Sequence, residues 1–245
     1  MTSDYRVLVL GGTGRTGGRV VRGLLDRGAH VRVVVRSARR LPAGAAEHGG
    51  TEVVEADLLS LRDEEFAGLV EECNAVVSCL GHNLTAQGLF GKPRDLVTQA
   101  VRRSCHAIRA ERPAHPVRFV LMSSVSVNRP GREDVRRGPV ERAALWALRC
   151  LLPPARDNQR AADFLQRDVG TADRYVEWSA VRPDTLCEGD VTPYDLHDGL
   201  VDSLFRPGAS TMANVADFMC SLVTDDDLWS RWRGRLPVLV NAAST

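Results

Sequence analysis

The feature that most constrains this chain is the passage from Val7-Leu-Val-Leu10 into Gly11-Gly-Thr-Gly-Arg-Thr-Gly-Gly18. A short apolar run cut off by glycine, then Val20, Val21, Leu24 and Leu25 at helical spacing, reads as strand, tight turn and helix. Gly11 permits dihedrals closed to other residues where the chain leaves the strand. Gly14 removes a side chain where a pyrophosphate must approach the backbone, and Gly17 lets the helix lie against the strand. The free N–H groups and positive dipole end of that helix would face the phosphates. The spacing alone is weak, but its place after a strand and before a helix is the context the motif requires. The alternative is a glycine-rich turn in an α/β fold that holds no ligand.

The remainder alternates in the same way. Apolar or β-branched runs at 31–35, 51–55, 75–80, 117–122, 176–182 and 236–240 read as strands. Amphipathic segments ending near 72 and at 93–109, 140–152, 157–165, 214–220 and 225–232 read as helices, with Gly28 capping the first helix and Pro93 opening a later one. This pattern predicts an α/β, Rossmann-type doubly wound parallel sheet with helices on both faces and a small C-terminal substrate-binding region. Residues 1–245 read as one NAD(P)-binding domain. It carries a helical insertion at about 127–156 and substrate-wall segments at about 183–245.

Composition narrows the partners. The formal charge is +1 over 245 residues, so no basic surplus argues for nucleic acid. No stretch approaches the roughly 20 apolar residues of a membrane span, and the start lacks a leader pattern, so a cytoplasmic protein without a membrane partner is expected, as monomer or homodimer. Cys73, Cys79, Cys105, Cys150, Cys187 and Cys220 are scattered without a C-x-x-C, and no metal-like spacing of His, Cys, Asp and Glu appears. Small core residues are expected, with no metal.

The end of the second strand decides the type of dinucleotide. An NAD site places an Asp or Glu there to hold the ribose 2′-hydroxyl. This chain has Arg36, followed by Ser37, Arg39 and Arg40. Guanidinium groups bind a 2′-phosphate that a carboxylate would repel, which favours NADPH; the alternative is a solvated basic loop. Ligands of open parallel sheets bind outside the carboxyl ends of the strands, so Gly81 and His82, after the fourth strand, should face the cofactor. His82 is placed to act as acid, base or hydrogen-bond donor; a histidine satisfied within its own loop is the alternative.

The run Val33-Val-Val-Arg-Ser-Ala-Arg-Arg-Leu-Pro42, with Ala56-Asp57, Ser78-Cys-Leu-Gly81, Ser123-Ser124 after the fifth strand and Val181-Arg-Pro183, resembles the atypical short-chain dehydrogenase/reductase superfamily. Within it, the NmrA-like and biliverdin IXβ reductase/flavin reductase branch is the most similar, over roughly residues 5–190. The resemblance implies a dinucleotide under the glycine loop, Asp57 near the adenine, Gly81 beside the nicotinamide half and Ser124 beside the reacting centre. The cofactor contacts are accordingly assigned to Gly11, Thr13, Gly14, Arg15, Thr16, Gly17, Arg36, Arg39, Asp57, Leu58, Cys79, Leu80, Gly81 and Ser123. Ser124 and His82 carry the chemistry.

Two departures stand out. Common members catalyse with Tyr-x-x-x-Lys, but the only lysine is Lys92, and the position four residues before it is Gly88. Asn158 falls near the usual lysine position. The insertion has Val140, Ala143, Ala144, Trp146, Ala147, Cys150 and Leu151 on a broad helical face, which suits a lid, a dimer contact or a core helix. The reading that follows is an NADPH-dependent reductase of a fairly apolar carbonyl, quinone, enone or flavin-like small molecule. The alternatives are a non-enzymatic NADP(H) sensor, and an isomerase, dehydratase or cyclase on the same scaffold.

Overall fold

The computed structural model describes residues 5–81, 94–129, 137–203 and 205–242. In chain order these form β1 (Arg6–Leu10), α1 (Arg15–Asp26), β2 (His30–Val35), β3 (Thr51–Glu55), α2 (Asp63–Val70), β4 (Ala75–Ser78), α3 (Leu96–Glu111) and β5 (Val117–Met122). Then come α4 (Pro139–Leu151), α5 (Pro153–Phe164), β6 (Val176–Pro183), β7 (Thr185–Cys187), β8 (Tyr194–His197), β9 (Ala209–Thr211), α6 (Met212–Thr224), α7 (Asp226–Trp232) and β10 (Val238–Asn241). The main sheet has the order β3-β2-β1-β4-β5-β6-β10-β8. Its first seven strands run parallel and β8 is antiparallel to β10. The order reverses between β1 and β4, the switch point where such sheets place a ligand.

Alternation along β1 shows why the sheet is covered twice. Leu8 and Leu10 pack with Phe66, Ile108, Phe119 and Phe164 on the face of α2, α3 and α5. Val7 and Val9 point the other way, among Val20, Leu24, Phe218 and Trp232 of α1, α6 and α7. A parallel strand buried on both faces reads as a continuous apolar run, which is what Val7–Leu10 is. Behind it, α1 stops where Gly28 takes φ +79°. The Gly28 N–H bonds Leu25 O at 2.9 Å and the Ala29 N–H bonds Leu24 O at 3.0 Å, the paired closure of a left-handed helix cap.

The C-terminal third is more strand-rich than its Pro-, Gly- and Asp-rich sequence suggests. The short strands β7 and β9 pair in parallel as a separate two-stranded sheet, and β8 closes the edge beside β10. The helix expected at 140–152 is present as α4, but its packing is inverted. Leu145 is buried, whereas Val140, Trp146 and Leu151 are about 70% exposed (70%, 69% and 71%). The core-helix expectation therefore fails. Periodicity shows that a stripe exists without showing which side faces the protein, and here the inner side carries Glu141 and Arg149. Glu141 accepts from Ser203 Oγ at 2.5 Å and from the Gly138 N–H at 3.2 Å. Arg149 donates to Ser126 O at 2.6 Å.

A buried carboxylate joins α5 to α3. Asp157 is 1% exposed and accepts from Val97 N at 2.8 Å, Thr98 N at 3.0 Å and Thr98 Oγ1 at 2.6 Å. It caps the first turn of a helix 59 residues earlier, where Asp95, the N-cap residue itself, makes no side-chain cap. Asp157→Ala would leave buried donors without an acceptor. We expect a loss of about 2–4 kcal/mol in unfolding free energy, read from the denaturant midpoint at unchanged m-value.

Candidate functional site

The site forms at the carboxyl edge of β1, β4 and β5. Gly11, at φ +82°, turns the chain out of β1 against the end of β4. A Cβ on Gly11 would stand 2.8 Å from the Cys79 carbonyl group and 2.9 Å from Leu80 N. A Cβ on Gly17 would stand 2.1 Å from Gly11 O, so α1 approaches the loop as closely as glycine allows. Gly14 differs: a Cβ there meets only Gly11 O, at 3.3 Å. Gly14 is the N-cap of α1, no side chain caps it, and no carboxylate lies in the first turn. Amide donors and a positive dipole end are thereby left to an anion.

Beside this helix start lies a groove of about 350 Å³ lined by Gly12, Thr13, Gly14, Arg15, Gly18, Arg19, Arg22, Arg40, Leu41 and Pro42. Arg40 ends a 3-10 turn, Ala38–Arg40, whose Ala38 N–H is held by Glu55 Oε1 at 2.5 Å. Arg36 and Arg39 are exposed at the end of β2 and on that turn. The sequence names Arg40 beside Arg36 and Arg39, although it was not among the assigned cofactor contacts; Arg19 and Arg22 as groove residues, and Glu55 as the group that positions the turn, were missed, and nothing in the sequence marks Glu55. A further contact closes over the start of α1, because Glu188 pairs with Arg19 at 2.6 Å and Arg15 at 3.6 Å.

On the other side of the switch point, register brings two residue sets together. Ser78 pairs with Leu121, so Gly81 and Ser124 each lie three residues beyond a paired position on adjacent strands. The Ser123-Ser124-Val125 segment stays zipped to the end of β6: the Ser123 N–H bonds Val181 O at 2.8 Å and the Val125 N–H bonds Pro183 O at 3.2 Å. Ser124 Oγ accepts the Ser126 N–H at 3.2 Å, which leaves its own proton to donate. Ser123 Oγ is buried and lacks a partner among the described residues.

The other predicted residues divide by surroundings. Thr16, Leu58 and Cys79 are buried, Thr13 and Leu80 are half-buried, and Arg15, Asp57 and Gly81 are exposed. Asp57 Oδ1 accepts the Leu59 N–H at 3.2 Å and so shapes the turn after β3. Burial pushes the Cys79 thiol up, keeping it neutral and unsuited to nucleophilic chemistry. Tyr194 is structural: its hydroxyl donates to Asp217 Oδ2 at 2.9 Å, and burial together with that carboxylate pushes the phenol up. Asp184 is raised by burial, although its Oδ1 accepts the Thr185 N–H at 2.8 Å. His82, Lys92 and Pro93 lie outside the described residues. No cluster of three His, Cys, Asp or Glu suited to a metal occurs among the described residues.

A family model described as NAD(P)H-binding matches residues 11–226, from the glycine loop to the start of α7. The chain belongs to this NAD(P)H-binding family. Solved structures agree on the fold. An oxidoreductase from Lactococcus lactis superposes with a TM-score of 0.69 at 18% identity, over 98% of this chain and 92% of that one. A short-chain dehydrogenase/reductase from Veillonella parvula in complex with NADP gives 0.69 at 14% identity, over 98% and 96%. A proposed NADH-flavin reductase from Streptococcus pneumoniae gives 0.65 at 16% identity, over 97% and 100%. None of the curated proteins compared with the chain matches it. The expected NAD(P)-binding family and the doubly wound fold class are thus borne out. Among the described residues, no helix is long and apolar enough to cross a membrane.

Proposed function

We propose that the protein is an NADPH-dependent reductase of a fairly apolar acceptor that stabilises negative charge: a quinone, an enone or a flavin-like ring. The observation that carries this reading is the uncapped start of α1 beside a groove with four guanidinium groups. The residues fit a nicotinamide dinucleotide: Gly14 leaves space where a pyrophosphate would lie, and the first-turn amides of α1 would bind it. NADPH, when bound, supplies the hydride.

The chain's own residues do the rest. Arg36, Arg39 and Arg40 would hold the 2′-phosphate, with Arg40 drawn into this role by its place in the groove. Ser124 would donate a hydrogen bond to the acceptor atom on which negative charge develops. A serine is a poor acid, so the final proton would come from His82 or water. The single lysine has glycine, not tyrosine, four positions earlier, so the usual Tyr-Lys relay is not available from Lys92. That is why acceptors that already stabilise charge are favoured over simple ketones.

The test begins with a titration of both cofactors, followed by NADPH oxidation across a panel of quinones, enones and flavins. NADPH should bind more tightly than NADH. Arg36→Ala and Arg40→Ala should each weaken NADPH by about ten- to a hundredfold through loss of a charge-assisted contact, with NADH little changed. Equal affinity of the wild type for both cofactors would reduce these arginines to a solvated basic face. Tight NADPH binding without turnover on any acceptor would instead favour a sensor.

A further inference from the structure

We propose that the outer face of α4 seats the protein on an anionic phospholipid bilayer, with the helix lying in the membrane surface and not crossing it. The proposal is independent of the reductase reading. It starts from the inversion of the helix: α4 turns Glu141, Leu145 and Arg149 inward and Val140, Ala143, Trp146, Cys150 and Leu151 outward. Ser203 Oγ, bound to Glu141, also accepts the Phe205 N–H at 3.2 Å, and Phe205 is 62% exposed beside the first turn of α4. Apolar surface of this extent, on a helix about 20 Å long, is what an interfacial helix lowers among acyl chains.

Charge selects the occupant. Residues 137–164 hold five arginines, at 137, 142, 149, 156 and 160, and three carboxylates, Glu141, Asp157 and Asp163. Glu141 and Asp157 are buried, at 6% and 1% exposure, and Asp163 is half-buried, while Arg156 and Arg160 are exposed. The outward charge of this helical pair is therefore cationic. A second copy docking face to face would bring like charges together, with only the half-buried Asp163 of these helices to offset them. An anionic headgroup layer supplies both the negative charge and the apolar phase beneath it. The expectation of no membrane partner rested on the lack of a spanning segment, and a helix lying in the interface needs none.

The four tryptophans make the test direct. Trp178, Trp229 and Trp232 are at most 3% exposed, whereas Trp146 is 69% exposed, so lipid-dependent fluorescence changes report on α4. The full chain should co-sediment with phosphatidylcholine vesicles containing about 30 mol % phosphatidylglycerol and not with phosphatidylcholine alone. Binding should weaken as salt screens the surface potential. Lipids spin-labelled on the acyl chain should quench the wild type and not Trp146→Phe, which keeps the apolar face. Arg156→Gln with Arg160→Gln should lower partitioning about twenty-fivefold, since each near-surface arginine is worth roughly a factor of five. Trp146→Glu should lower it by at least about tenfold. Absence of vesicle binding by the folded wild type overturns the proposal. So does a lipid-free dimer in which Trp146 is already shielded, because the face then belongs to a second copy. NADPH binding and turnover in solution are measured separately, and neither result depends on this outcome.

Discussion

Gly14→Val should abolish dinucleotide binding, by at least about a hundredfold in affinity, while the protein stays folded; Gly17→Ala should instead destabilise the fold itself. The two glycines sit three residues apart, but their surroundings differ. At Gly14 an added Cβ meets only Gly11 O at 3.3 Å, and the backbone, at φ −76° and ψ 164°, is extended and suits a β-branched residue. The space it would fill is therefore not required by the protein's own packing. Loss of the pyrophosphate approach should appear in a dinucleotide titration, beside a circular dichroism spectrum near that of the wild type. At Gly17 the Cβ would lie 2.1 Å from Gly11 O and 3.2 Å from Cys79 Cβ, against backbone and a buried side chain that cannot yield. Overpacking there should cost about 3 kcal/mol or more. Unimpaired binding by folded Gly14→Val would mean that the pyrophosphate does not lie against Gly14 and that the loop is a structural turn at that point.

The contrast shows what the sequence carried. The strand, the turn at Gly11 and the close approach of the helix at Gly17 were legible because they are local, following one another within twenty residues. The strand at Thr51–Glu55 and that at Val117–Met122 were legible to the residue. What could not be read was set by partners distant in sequence. Asp157 caps α3 from another helix, Glu55 holds the Arg40 turn from the next strand, and Glu188 reaches Arg15 and Arg19 from beyond β7. The orientation of α4 belongs to the same class. Its apolar periodicity was plain, but only the three-dimensional pairing of Glu141 with Ser203 and of Arg149 with Ser126 shows that the polar side faces in. The short strands β7, β8 and β9 were missed because such short pairings leave almost no periodic signal.

A second large effect is expected at Ser124, where the chemistry must proceed without the usual pair. Hydride delivery to a conjugated acceptor builds negative charge on its oxygen or nitrogen, and a hydrogen-bond donor already aimed at that atom lowers the barrier without completing a proton transfer. Ser124 fits this role because its oxygen is fixed by the Ser126 N–H and its segment is held by the end of β6. Its proton is thereby left for the acceptor. Ser124→Ala should lower kcat by about ten- to a thousandfold while NADPH affinity stays near wild type. The lost Ser126 contact should cost only about 1 kcal/mol of stability. Ser124→Thr, which keeps a hydroxyl, separates donation from packing: it should recover much of the rate if the hydroxyl is the donor. The measurement is single-turnover NADPH oxidation with the best acceptor from the panel, beside a cofactor titration for each variant. If folded Ser124→Ala turns over at the wild-type rate, positioning of acceptor against cofactor carries the reaction and Ser124 has no catalytic role.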